Sequence, residues 1–163
     1  MRDRDFERLY AEHAEPLLGF LVYRTGDRAL AEDLLGDTFE RVLRSRGRFD
    51  PRRSGEKTWL YTIALNLLRD HARRAAAGRR AHDKITAATG APGHHSQEFS
   101  AVEDRDAVQR AMGTLSSEER DVIALRYGAD LTLPEIAKLT QEKLTTVEGR
   151  VYRALRKLKG ELE

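Results

Sequence analysis

Thr132-Leu-Pro-Glu-Ile-Ala-Lys-Leu-Thr140, then Gln141-Glu-Lys-Leu144, then Thr145-Thr-Val-Glu-Gly-Arg-Val-Tyr-Arg-Ala-Leu-Arg-Lys-Leu158, is the stretch whose reading decides the fold. Thr132 and Glu135 have the spacing of a capping box, and Pro134 falls in the first turn, where its missing N–H costs nothing. Thr145 and Glu148 repeat that spacing and predict a second helix start. Ile136, Ala137 and Leu139 are the apolar residues of the short first helix. Val147, Val151, Ala154, Leu155 and Leu158 recur at helical spacing in the longer second one. Its opposite face carries Arg150, Arg153, Arg156, Lys157 and Lys159. A short helix, a tight turn and a longer helix with a basic outer face is the outline of a helix-turn-helix. The plainer reading is a helical hairpin with a solvated charged face. The glycine expected in the turn is absent, and Gln141 stands where it would help.

Outward from this stretch, composition narrows the options. The 163 residues make one ordinary domain or two small ones. Cysteine is absent, which excludes disulfides, a thiol nucleophile and thiolate zinc sites and fits a reducing, cytoplasmic setting. No apolar run approaches the ~20 residues of a membrane span, and Met-Arg-Asp-Arg-Asp is not a signal core. The net charge of +2 says little; its distribution says more. Residues 1–42 carry 6 basic and 10 acidic side chains, residues 43–84 carry 12 and 4, and residues 85–163 carry 11 and 13. The central excess of cations is an electrostatic footprint for a polyanion.

Phe6, Leu9, Tyr10, Ala14, Leu17, Leu18 and Leu21 give residues 5–23 an amphipathic helix, with Pro16 as a kink or restart. Thr25-Gly26-Asp27 reads as a stop and a new N-cap. Residues 28–44 form a second helix lined by Leu30, Leu34, Leu35, Phe39, Val42 and Leu43, with Glu32, Asp33, Asp37 and Glu40 on an acidic outer face. Residues 45–57 read as a loop, because two glycines and an Asp-Pro step oppose a regular element. Its five cations and Phe49 suit a nucleic-acid single strand, phosphates on the cations and a base on the ring. Residues 58–74 read as a third helix with Trp59, Leu60, Ile63, Ala64, Leu67 and Leu68 as its core face. Gly, Pro and small polar residues over 75–100 predict a flexible linker, in which His94-His95 lack further ligands for a metal. Helical patterning resumes over 101–128, where Ser116 and Glu119 form a third capping box and Gly128 is a stop. No strand, repeat, metal site, cofactor motif or catalytic constellation can be nominated.

Ala31-Glu-Asp-Leu-Leu-Gly-Asp-Thr-Phe39, Thr58-Trp-Leu-Tyr-Thr-Ile-Ala-Leu-Asn66 and Asp70-His-Ala-Arg-Arg74 resemble region 2 of bacterial sigma factors. The block from Leu115 to Leu158 looks like their region 4. The short length with only a linker between resembles the extracytoplasmic-function (group 4) class of the sigma-70 family. The resemblance covers nearly the whole chain outside residues 75–100. It implies an all-α fold of two small domains. Region 2, a bundle of three to four helices, takes residues 1–75; a flexible linker takes 76–104; region 4, the helix-turn-helix, takes 105–163.

The resemblance further implies a non-catalytic specificity subunit of RNA polymerase, needing no cofactor or metal. Asp33, Leu34, Asp37 and Phe39 would dock on the clamp of the core enzyme's largest subunit, and the partner surfaces on polymerase core would be the clamp and the flap. Arg46, Arg48, Phe49, Arg52, Arg53, Lys57, Asn66, Arg69, Arg73 and Arg74 would recognise and open the −10 element. That matches the central charge, since melting needs cations to hold the strand and a pocket to offset unstacking of a few kcal/mol per base. Thr145, Thr146, Glu148, Arg150, Tyr152 and Arg153 would read the −35 element in the major groove. An anti-sigma factor is the family's usual partner, and membrane insertion is not expected.

The chain departs from the family at several positions. Gly36 replaces a usual Gln, Leu65 replaces the Arg before Asn66, Gln141 replaces the turn Gly, and Thr140 replaces an apolar residue. After Val147, Glu148 and Gly149 replace a basic residue and a Ser. The region 4 changes predict an altered −35 preference, with Arg150, Tyr152 and Arg153 carrying most contacts. Two other readings compete: a stand-alone dimeric helix-turn-helix regulator, which leaves the acidic helix and basic loop unexplained, and a sigma-like interaction protein that no longer reads promoters.

Overall fold

A computed structural model describes the backbone of residues 2–85 and 99–162 and the side chains of residues 2–81 and 106–162. The expected flexible segment around His94-His95 lies outside the described residues. Helix α1 spans Asp3–Thr25 and α2 spans Arg28–Ser45, followed by one 3-10 turn at Arg46–Arg48. Helix α3 spans Glu56–Ile85, α4 Phe99–Met112 and α5 Ser117–Ile123. A π-helical turn, Ala124–Gly128, continues α5. Helices α6, Leu133–Thr140, and α7, Leu144–Leu162, complete the chain, and no strand occurs among the described residues.

Helix α1 runs unbroken through Pro16. The proline removes one backbone hydrogen bond, but Leu9, Leu17, Phe20 and Leu21 on the same helix are fully buried, and that burial holds the helix together. Gly26 ends it in the left-handed region at φ 70°, donating its N–H to the Val22 carbonyl at 2.8 Å. Asp27 then caps α2 by accepting from Leu30 N–H at 3.1 Å. Along α2 the apolar stripe is Ala31, Leu34, Phe39 and Val42, while Leu43, expected inside, is exposed.

The loop after α2 is more ordered than its Gly and Pro content suggests. Beyond the 3-10 turn, the Asp50 carboxylate accepts from Arg52 N–H at 2.9 Å and its carbonyl from Arg53 N–H at 3.0 Å. An Asx-type turn of this kind satisfies backbone groups without a helix or sheet. Helix α3 then continues to Ile85, past the Arg74 at which the sequence pattern ended it, so residues 76–85 are helical.

Both boxes read from the C-terminal half of the sequence at Ser116 and Thr132 are formed. Ser116 and Glu119 exchange bonds of 2.8 and 3.1 Å, and Thr132 and Glu135 exchange bonds of 2.9 and 3.2 Å. The box expected at Thr145 is not formed. Helix α7 begins one residue earlier, at Leu144, so Thr145 lies inside the first turn and Glu148 is not drawn back to the backbone. Gln141 supplies the missing turn glycine's geometry itself, at φ 58° and ψ 41°.

The two helical groups do not hang apart. Their buried side chains form one continuous apolar core, from Leu9 in α1 to Ala154 in α7. Helix α1 packs on the π-turn and α3 packs on α6. At the tightest point two glycine backbones meet: a Cβ on Gly19 would lie 2.5 Å from the Gly128 carbonyl oxygen, and one on Gly128 would lie 2.8 Å from the Gly19 oxygen. Only glycine fits on either side.

Candidate nucleic-acid interface

The basic middle of the chain lies on the loop and the exposed side of α3. Asn66, Arg69, Arg73 and Arg74 are exposed while Leu65 and Leu68 point into the core. The residue that stands where the family carries Arg, Leu65, is therefore a core residue at 4% exposure. Arg73 is paired with Asp70, and Arg69 Nη2 donates to Asp121 at 3.2 Å. In the loop, Arg48, Arg52 and Arg53 are exposed, and Arg46 reaches Asp3 of α1 at 2.6 Å. Phe49 is half-buried and packs on Trp59 with ring centroids 4.9 Å apart. Lys57, at the start of α3, donates to Glu135 of α6 at 2.9 Å. Within the expected −10 set, Lys57 and Arg69 are held by acids of the C-terminal half.

On α7, Val147, Val151 and Ala154 face inward, which turns Thr145, Thr146, Glu148, Tyr152 and Arg153 outward. Gly149 leaves room for the Arg153 guanidinium, whose Nη1 would lie 3.1 Å from a Cβ at that position. Arg150 does not join the outward set. Its guanidinium clasps the Glu142 carboxylate through two bonds of 2.6 and 2.8 Å, and its side chain is 17% exposed. The Arg150 guanidinium holds the Glu142 carboxyl below the usual glutamate range.

The acidic face of α2 divides in the same way. Asp33 and Asp37 are exposed, whereas Leu34 and Phe39, at 5% and 4% exposure, belong to the core. The Phe39 ring lies edge-on to Tyr10 at 4.8 Å and to Phe6 at 6.1 Å. Gly36 is exposed with open space around it, so the residue missing there leaves no gap in the packing.

Sequence reasoning did not find Arg24, Ser117 or Asp121. Arg24 Nε donates to Asp121 Oδ1 at 2.7 Å and Arg24 Nη2 to Ser117 Oγ at 3.2 Å. Asp121 is 3% exposed and engages both oxygens, one on Arg24 and one on Arg69. Its partners lie on helices far away in sequence, so no spacing rule links them. The one local sign is an acid immediately before the buried pair Val122-Ile123. Among the described residues no cluster of His, Asp and Glu is arranged to hold a metal, and no helix is long and apolar enough to cross a membrane.

The family pattern for Sigma-70 region 2 matches residues 9–78, and that for Sigma-70, region 4 matches residues 105–158. RNA polymerase sigma factor CarQ of Myxococcus xanthus is 36% identical over 166 residues, spanning 97% of this chain and 91% of the relative. The ECF RNA polymerase sigma factor SigL of Mycobacterium tuberculosis is 31% identical over 159 residues, spanning 95% and 87%. The chain belongs to the sigma-70 family, in its extracytoplasmic-function class.

Two solved structures share the fold of this sigma factor. The sigma factor RpoE of Bartonella quintana, crystallised with the anti-sigma factor NepR, superposes with a TM-score of 0.76 at 23% identity, covering 98% of this chain and 97% of that one. CnrH in complex with the cytosolic domain of CnrY gives 0.69 at 25% identity, covering 99% and 89%. As a sigma factor, the chain directs promoter-specific transcription.

Proposed function

We propose that this sigma factor divides its work between two surfaces that never form an active site. It acts as a non-catalytic specificity subunit: polymerase core supplies the chemistry. Region 2 opens the −10 element with the loop cations, Phe49, Asn66, Arg69, Arg73 and Arg74. Region 4 reads the −35 element through Thr145, Thr146, Glu148, Tyr152 and Arg153. The observation that carries this reading is the outward alignment of those five residues along α7, directly after the turn at Gln141, as major-groove entry requires. Asp33 and Asp37, exposed on α2, form the charged part of the polymerase-docking face.

Glu148 gives the −35 reading its character. Since it is exposed and not drawn into a cap, its carboxylate is available to accept from cytosine N4, where a basic residue would seek guanine or phosphate. The protein works in the cytoplasm, where polymerase and promoter DNA meet. An anti-sigma factor is its natural inhibitor; the likeness to RpoE, which was crystallised with NepR, supports that assignment.

The deciding experiment mixes the purified chain with polymerase core and a promoter library and maps start sites. Initiation from a shared −35/−10 pair only when the chain is present is the expected result. Core binding without initiation would leave a sigma-like interaction protein instead.

A further inference from the structure

Helix α7 carries Arg150, Arg153 and Arg156, and each guanidinium is disposed differently. That of Arg150 is taken up by Glu142. That of Arg156 lies over the Tyr152 ring, with Cζ 5.9 Å from the centroid. Arg153 is exposed, and among the described residues no carboxylate or carbonyl holds it. Long side chains on a helix lean toward its N-terminus, so residue 153 reaches back over residue 149. Residue 149 is a glycine. A Cβ placed there would lie 3.1 Å from Arg153 Nη1 and 3.9 Å from its Cζ. The guanidinium therefore lies where a side chain at 149 would begin.

The rest of the fold gives no reason for that glycine. Its φ is not in the left-handed region, and no backbone crosses it as Gly19 and Gly128 cross each other. Arg153 is the one neighbour that an added Cβ would meet within 4 Å. A glycine inside a helix is less stable than an alanine, so α7 is weakened here without any gain in packing. The position is also central. Val147, Val151 and Ala154 are buried, and at 3.6 residues per turn Gly149 falls on the opposite side, between Thr145 and Arg153. The middle of the outward face has no side chain of its own, and the Arg153 guanidinium covers it. Recognition helices read bases with their N-terminal residues. Bending back over Gly149 brings a residue of the third turn into that zone, with a planar fork that matches guanine O6 and N7.

We propose that Gly149 is the seat of the base-reading guanidinium of region 4: its bare backbone lets Arg153 lie across the centre of the outward face, where it selects a guanine in the −35 element. This rests on the assignment of α7 to that element. A side chain at 149 and a seated guanidinium exclude each other, so the residue at 149 decides whether that guanine is read. Gly149 touches no base itself. It is a positioning residue that acts through Arg153.

The test uses the full chain on polymerase core, initiating from a promoter library with randomised −35 bases whose start sites are sequenced. The unmodified chain should prefer guanine at one −35 position. Arg153→Ala should reduce that preference about fivefold or more, the scale of one bidentate base contact. Gly149→Leu should reduce it at the same position to a similar extent while leaving the other −35 positions as they were. The double variant should be no less selective there than Arg153→Ala alone, because Gly149 acts only through Arg153. Gly149→Ala moves the guanidinium only slightly and should give a smaller loss at that position. Melting temperatures of both Gly149 variants should equal or exceed that of the parent, since leucine and alanine are better helix formers than glycine. Gly149→Ala decides the matter if leucine prevents folding. A guanine preference that survives both Gly149 changes would overturn the proposal. So would a uniform loss over all −35 positions, or a further loss in the double variant. If the unmodified chain selects −35 bases in any of those cases, only the seat at Gly149 fails; if it selects none, the assignment of α7 to the −35 element fails with it.

Discussion

Arg150 and Glu142 face each other across the turn of the helix-turn-helix, joined by two hydrogen bonds of 2.6 and 2.8 Å. The pair spans the exit of α6 and the second turn of α7. It therefore ties the angle of the recognition helix to the turn that precedes it. A bidentate Arg–carboxylate pair, less exposed than a surface ion pair, is among the stronger polar contacts a small domain can make. Arg150 is engaged in this contact, so under the proposed reading the −35 contacts fall to its outward neighbours.

Arg150→Ala should therefore lower stability by about 1–3 kcal/mol, because it leaves Glu142 without its partner. Arg153→Ala should instead leave the melting temperature nearly unchanged and weaken −35 binding by ~1–3 kcal/mol if its guanidinium meets a base edge. Thermal denaturation beside binding to a −35 duplex separates the two. Equal stability loss in both variants would contradict the division of roles.

The acidic helix makes a second pair of outcomes. Phe39→Ala removes a ring buried against Phe6 and Tyr10 and should cost about 3–5 kcal/mol of stability. Any loss of polymerase binding in that variant follows from unfolding. Asp33→Ala with Asp37→Ala changes only exposed side chains and should stay within about 0.5 kcal/mol of the parent while weakening polymerase binding. Urea midpoints and core-binding titrations of both variants check this.

These contrasts mark where the sequence was legible. Helix starts at Asp27, Ser116 and Thr132 could be read because a cap and its partner lie three residues apart. Leu34 and Phe39 could be placed on an apolar stripe, but the docking role implied by the family drew them to the surface, and burial puts them in the core. Thr145 misled because its box spacing is present while the helix starts at Leu144. Asp121 was out of reach, since the meaning of a lone acid beside Val122 depends on Arg24 and Arg69, which only the folded chain brings near. The π-turn likewise has no local sequence signal; its geometry answers to Gly19 on another helix.

Gln141 carries a backbone conformation that costs a residue with a Cβ roughly 1–2 kcal/mol. Glycine would avoid that cost but would lose about 0.5–1 kcal/mol through the greater freedom of its unfolded chain. Gln141→Gly should therefore stabilise by less than about 1 kcal/mol and raise Tm by roughly 1–3 °C. Differential scanning calorimetry measures the shift. A fall in Tm would show that the Gln141 side chain does something the turn geometry does not reveal.

Acid should weaken the fold in a defined order. Burial lowers the His13 pKa below its ordinary 6.5, so the fold prefers the neutral ring. That contribution is complete above 6.5 and declines as the pH drops through the folded value. Three glutamates follow. The Lys157 ammonium and then Ser116 N–H depress Glu119, Thr132 N–H and then Lys57 depress Glu135, and Arg150 depresses Glu142, each below the ordinary 4.5. Their stabilisation is present in full above 4.5 and is lost as protonation proceeds through the lower folded values. The urea midpoint should hardly change between about pH 7.5 and pH 6.5, slip modestly toward pH 5 and fall steeply below about pH 4.5. In Glu142→Gln the steep limb should shrink, because one of the three depressed carboxyls no longer titrates. A midpoint that climbs as the pH is lowered from 7 to 4 would reverse the sign of all four contributions.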